Sequence, residues 1–115
     1  MSNNLVADVH DLKTRLHWGQ PGFTIVDVRD RHTYNHGRIS GAIPIPLDDL
    51  ASKAKSALHK ERHIYIYGDT DEHTTQAAQI LRGAGFVEVA EIKGGLAAWI
   101  SAGGATEGVG AENRI

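Results

Sequence analysis

The stretch Ile64-Tyr65-Ile66-Tyr67-Gly68-Asp69-Thr70-Asp71-Glu72-His73-Thr74-Thr75-Gln76-Ala77-Ala78 does most to restrict the folds open to this chain. Four β-branched and aromatic residues in a row predict a buried strand, and from Thr74 the apolar residues Ala77, Ala78 and Leu81 fall on one side of a helix. The loop between them spans residues 68–73. In open α/β sheets ligands bind where the carboxyl end of a strand meets the amino end of the next helix. Free N–H groups and the helix dipole make an anion the expected guest there. This loop carries anions of its own. Asp69, Asp71 and Glu72 bring three negative charges without a Lys or Arg among them, and His73 is the one group in the loop that can become a cation.

The remainder of the chain alternates strand and helix in the same way. Leu5-Val6-Ala7 reads as a short first strand, and Asp8 as the N-cap of a helix with Val9, Leu12 and Leu16 at core spacing, stopped by Gly19 and Pro21. Phe23-Thr24-Ile25-Val26-Asp27-Val28 is nearly continuous in apolar character, as a strand buried on both faces of a parallel sheet must be. It ends on Asp27, Arg29, Asp30 and Arg31, charges that at a strand end either anchor loops or line a site. Asp30 can cap a short helical turn through Tyr34 that Gly37 stops, and the prolines at 44 and 46 keep the next stretch extended, with a brief strand around Ala42 and Ile43. A helix from Asp48-Asp49 carries Leu50, Ala54 and Leu58, and Lys60-Glu61-Arg62 turns into the Ile64 strand. The helix from Thr74 stops at Gly83-Ala84-Gly85, Phe86 to Ala90 reads as another strand, and Gly94-Gly95 turns into a last helix with Leu96, Trp99 and Ile100. These patterns predict one α/β domain over residues 1–102, with a mostly parallel sheet covered by helices on both faces, and a flexible Gly-rich tail over 103–115.

Composition excludes whole classes of chemistry. The sequence contains no cysteine, which removes disulfides, thiolate metal sites and every cysteine-nucleophile mechanism. A net charge of −2 gives no reason to expect nucleic acid or an anionic membrane as partner. No apolar run approaches the roughly 18 residues of a membrane span, and Met1-Ser2-Asn3-Asn4 is not a secretory signal, so a cytoplasmic location is expected.

Three stretches in series resemble the rhodanese-like domain family. They are Ile25-Val26-Asp27-Val28-Arg29 with Tyr34 to Pro46; Ile64 to Ala78; and Gly85-Phe86 through Glu91-Ile92-Lys93-Gly94-Gly95-Leu96-Ala97-Ala98-Trp99. The resemblance covers about residues 5–102 and implies that family's three-layer fold. In the family the loop after the central strand starts with a catalytic cysteine and usually ends with an arginine, and its N–H groups cradle a persulfide or thiolate sulfur. By position the cysteine falls on Gly68 and the arginine on His73. Without the nucleophile no persulfide forms, so neither thiosulfate sulfurtransferase nor cysteine-phosphatase activity is expected. An engineered exchange of cysteine for glycine would account for Gly68 but not for His73 or the acids, which favours natural loss.

What remains is a candidate contact surface made of Gly68, Asp69, Thr70, Asp71, Glu72, His73 and Thr74 with the strand end at Asp27 to Asp30, and no catalytic residue. The resemblance implies that Asp27 and Arg29 form a hydrogen-bonded brace between loops. For the acids three readings stand open: a carboxylate that caps the helix at Thr74 and fills the cradle from within, a surface for a basic segment of a protein partner, or a divalent cation on Asp69 and Asp71. No metal or cofactor is expected on balance. An alternative enzyme would use His73 and a loop carboxylate on a bound water, in hydrolase fashion. Another would present a sulfur donor to a second protein's cysteine. His32 and His36 share the four-residue spacing of zinc ligands, but on a turn this short they read as a solvated face.

Overall fold

Ile64 and Ile66 leave one face of the central strand while Tyr65 and Tyr67 leave the other, and the two cores of the domain form on those two faces. The computed structural model describes residues 6–7, 9–17 and 23–108. In chain order its elements are β1 (Val6–Ala7), α1 (Val9–His17), β2 (Phe23–Asp27), α2 (Arg31–His36), β3 (Arg38–Ile39), β4 (Ile43–Pro44), α3 (Leu47–Ala57), β5 (His63–Tyr67), α4 (Asp71–Gly83), β6 (Val89–Ile92), α5 (Gly95–Ser101) and β7 (Thr106–Glu107). Met1 to Leu5, the Asp8 cap, the Leu16 side chain, the stop at Gly19 and Pro21, and the tail beyond Gly108 lie outside the described residues.

The main sheet runs β1-β6-β5-β2-β4 with every neighbouring pair parallel. Val26, Val28, Ile64 and Ile66 pack with Leu50, Ala54, Ala77, Ala78 and Leu81, so α3 and α4 cover one face. Ile25, Tyr65, Tyr67 and Ile92 pack with Leu12, Tyr34 and Trp99, so α1, α2 and α5 cover the other. This is the predicted α/β architecture, a mainly parallel sheet between helical layers.

Strand order also fixes where a site can form. From β5 the chain passes through α4 to β6 on one side; from β2 it passes through α2 and β3 to β4 on the other. The connections therefore diverge between the carboxyl ends of β2 and β5, the kind of crevice in which such sheets bind ligands.

Several boundaries differ from the sequence expectations, each for a local reason. α4 begins at Asp71, three residues before Thr74, so the loop after β5 is only Gly68, Asp69 and Thr70. The strand expected over Phe86 to Ala90 is Val89–Ile92, because Phe86 belongs to the end of α4. Its N–H bonds the Leu81 carbonyl and the Gly85 N–H that of Arg82, a Schellman arrangement with Gly85 at φ +99° and the buried pair Leu81 and Phe86 as its apolar contact. Beyond Gly103, where a frayed tail is expected, residues 104–107 dock. β7 pairs antiparallel with β3, and the Ala105 carbonyl accepts from both the Ser40 N–H and the Trp99 indole.

Candidate functional site

Asp27, the last residue of β2, is completely buried and paired with Arg29 two residues on. Arg29 Nε donates to Asp27 Oδ1 at 2.9 Å and its Nη2 to Oδ2 at 2.6 Å, while the Arg29 backbone N–H adds a bond of 2.9 Å to Oδ1. Nη2 also donates to the Gly37 carbonyl at 2.6 Å, which ties down the end of α2. From β5 the Tyr67 hydroxyl donates to Asp27 Oδ2 at 2.6 Å and accepts from the Ile39 N–H of β3 at 3.1 Å. The Asp27–Arg29 brace is thus observed, and Tyr67 is a third member that turns away from the loop it immediately precedes.

Charge in this network follows from its burial. Loss of hydration alone would lower the Arg29 pKa, but the hydrogen bond and charge of Asp27 outweigh it, and Tyr67 and Asp69 add to the net rise. Burial holds the Tyr67 phenol well above its usual 10.0, reinforced by the charge and hydrogen bond of Asp27 and opposed by the Ile39 N–H and Arg29. Above pH 10 the unfolded chain loses a proton here that the folded chain keeps, so this contribution is complete below that pH and is lost as pH rises. In urea titrations the wild-type midpoint is expected to fall more steeply above pH 10 than that of Tyr67→Phe. Equal slopes would contradict this assignment.

The loop is closed by its own hydroxyls. Thr70 is the N-cap of α4, its Oγ1 accepting from the His73 N–H at 3.1 Å. Thr74 Oγ1 accepts from the Gly68 N–H at 2.8 Å and donates to the Thr70 carbonyl at 3.0 Å. Gly68 itself is buried, and a Cβ built on it would lie 3.1 Å from Val28 Cγ2 and 3.2 Å from His73 Cβ. The space at the nucleophile position is therefore tight for even one added carbon.

The carboxylates take other roles. No carboxylate caps a helix at Thr74; the Thr70 hydroxyl caps α4, and the Thr74 hydroxyl takes the Gly68 N–H. Asp71 Oδ1 instead accepts from the Gly94 N–H at 2.9 Å and fastens the loop to the turn before α5. Asp69, Asp71, Glu72 and His73 are all exposed, and no cation among the described residues lies within ion-pair distance of these three acids. Among the described residues no group of three or more His, Asp or Glu is placed to hold a metal ion. His32 and His36 lie exposed on α2. Sequence reasoning missed Val28 and Gly95, whose Cβ position is 3.2 Å from the Gly68 carbonyl, as walls of the loop. Their apolar or absent side chains gave no chemical signal.

Fold and site together define an α/β domain whose central strand β5 runs into a tight loop with glycine, not cysteine, at its start. Residues 8–102 match the family model described as "Rhodanese-like domain", and the chain belongs to that family. A solution structure of the rhodanese-like domain of the Alr3790 protein from Anabaena sp. is 54% identical, with a TM-score of 0.89 over 99% of this chain and 85% of the other. YqhL of Bacillus subtilis (strain 168), an uncharacterized protein, is 33% identical over 65% of this chain and 59% of its own length. The thiosulfate sulfurtransferase GlpE of Shewanella oneidensis is 33% identical over 65% of this chain and 73% of its own. The chain thus has relatives among sulfur-transfer proteins while lacking the atom that carries the sulfur. Among the described residues no helix is long and apolar enough to cross a membrane.

Proposed function

We propose that this domain is a non-catalytic, cytoplasmic binding module that presents the outer edge of its loop, chiefly Asp69 and Glu72, to a basic segment of a protein partner. One observation carries the reading: the cradle is satisfied from within by Thr70 and Thr74, while the carboxylates outside it are exposed and form no ion pair among the described residues. Unpaired like charges on one edge raise the association rate and select for a partner of opposite sign. A hydrolase built on His73 finds less support. Among the described residues its imidazole has no hydrogen-bond partner that would orient it as a base. A sulfur-relay role requires an anionic donor to approach three carboxylates.

The test uses Asp69→Lys with Glu72→Lys and leaves Asp71 in place, since Asp71 also holds Gly94. Wild type and variant, both checked for folding by circular dichroism, are used to capture partners from native lysate. A protein retained by the wild type at low salt, released as salt is raised, and missed by the variant is the expected result. Identical capture by the two would rule out the acidic edge as the recognition surface.

A further inference from the structure

We propose that residues 103–108 form a strap that sets the geometry of the Gly68 loop through two routes that meet at Ala105, so that whatever takes hold of this segment alters the loop as well. The use of that coupling to regulate binding rests on the function proposed above; the coupling itself does not.

The first route runs through α5. Gly103 at φ +84° and Gly104 close a Schellman turn on the helix, with Gly103 N–H on the Ile100 carbonyl and Gly104 N–H on that of Trp99. Gly104 packs against the Trp99 indole so closely that an added Cβ would clash with its Cε2, Cδ2 and Nε1, and the indole N–H donates to the Ala105 carbonyl at 2.7 Å. At its other end α5 meets the loop twice: the Gly94 N–H on the Asp71 carboxylate, and Gly95 against the Gly68 carbonyl. The strap thus grips one end of a seven-residue helix whose other end grips the loop.

The second route runs through β3. Glu107 accepts from the Ser40 hydroxyl at 3.2 Å and the Gly41 N–H at 3.3 Å, and lies 3.5 Å from Arg38 Nε. Its strand pairs with Arg38 and Ile39, and a Cβ on Gly108 would lie 2.9 Å from the Asn35 and His36 carbonyls and the Gly37 Cα, so the strap runs close against the end of α2. Ile39 N–H reaches the Tyr67 hydroxyl, and Gly37 holds Arg29, so the ribbon braces the last residue before Gly68 on the same sheet face that α5 covers. Between them the two routes fix the loop at Tyr67, Gly68 and Asp71. The strap that anchors both is short, rich in small residues and half exposed, the composition of a segment that opens before the core does.

The experiment is residue-resolved amide hydrogen exchange on the full chain and on two variants, Glu107→Ala, which unpins the ribbon, and Gly104→Ala, which unseats the strap from Trp99. The amides of Gly68, His73 and Gly94, each with a named acceptor, are expected to exchange about tenfold faster or more in the variants, while Ile64 and Ile66 in β5 keep their rates. If the Gly68, His73 and Gly94 rates stay as in the wild type, or if Ile64 and Ile66 accelerate by the same factor, the coupling is refuted. Should Gly104→Ala fail to fold, Glu107→Ala decides alone. No partner is present in this measurement, so it stands apart from the outcome of the capture experiment.

Discussion

Asp27→Ala is expected to cost about 3–5 kcal/mol of folding stability, because it leaves the Arg29 charge buried with one neutral acceptor, the Gly37 carbonyl. Two further groups lose their partner in the same substitution, the Arg29 N–H and the Tyr67 hydroxyl. Against the roughly 5–15 kcal/mol that separates folded from unfolded domains, this is a large share. The loss comes from the charge left behind more than from the bond removed, and that distinction can be tested. Asp27→Asn keeps the shape and an acceptor oxygen, so it should be milder, and Tyr67→Phe, which orphans only Ile39 N–H and one lone-pair site on Asp27, milder still at about 1–3 kcal/mol. Replacing both partners, Asp27→Ala with Arg29→Met, should recover much of the deficit, since an apolar pair needs no counter-charge. Urea unfolding followed by far-ultraviolet circular dichroism gives all four values. A deficit below about 1 kcal/mol for Asp27→Ala would mean that water reaches Arg29 and that the brace is not a closed network.

The parts of this molecule legible in the sequence are those whose cause is local. Ile64 to Tyr67 and Phe23 to Val28 are apolar at nearly every position, which fits only strands covered on both faces, and the two cores divide between them as the alternation requires. The start of α4 was not legible. Asp69, Thr70 and Asp71 are all good capping residues in a row, and spacing cannot choose among them. The choice is made by a contact 23 positions away, where Gly94 N–H draws off the Asp71 carboxylate and leaves Thr70 to cap. β7 was hidden for a similar reason. A two-residue strand has no periodicity, and Gly-rich flanks resemble a tail until Trp99 offers a flat surface on which only glycine fits. The Asp27 and Arg29 brace came from family resemblance. Tyr67 as its third member follows from a register that sets it opposite Asp27 across the sheet.

Restoring the missing chemistry should succeed in part: Gly68→Cys with His73→Arg is expected to show weak thiosulfate:cyanide sulfurtransferase turnover where the wild type shows none. The wild type has no cysteine to carry a persulfide, so no turnover is expected from it under any conditions. At position 68 the backbone lies outside the left-handed region, so a side chain is conformationally allowed there. Space is the first constraint. Val28 Cγ2 at 3.1 Å and His73 Cβ at 3.2 Å must each yield a little, an overpacking that costs about 1–3 kcal/mol in stability. Charge is the second. Thiosulfate carries two negative charges, and each loop carboxylate repels it by roughly 1 kcal/mol per unit charge at about 4 Å in water. That repulsion is screened over about 10 Å at 0.1 M salt, so KM for thiosulfate in the double variant should fall as ionic strength rises. Adding Asp69→Ser and Glu72→Ser should lower KM at low salt and flatten the salt dependence, with kcat little changed, because these acids act on approach of the anion and not on the sulfur in flight. A folded double variant whose thiol reacts with a disulfide reagent but transfers no sulfur at any salt concentration would show that the loop closed by Thr70 and Thr74 has lost the cradle along with the cysteine.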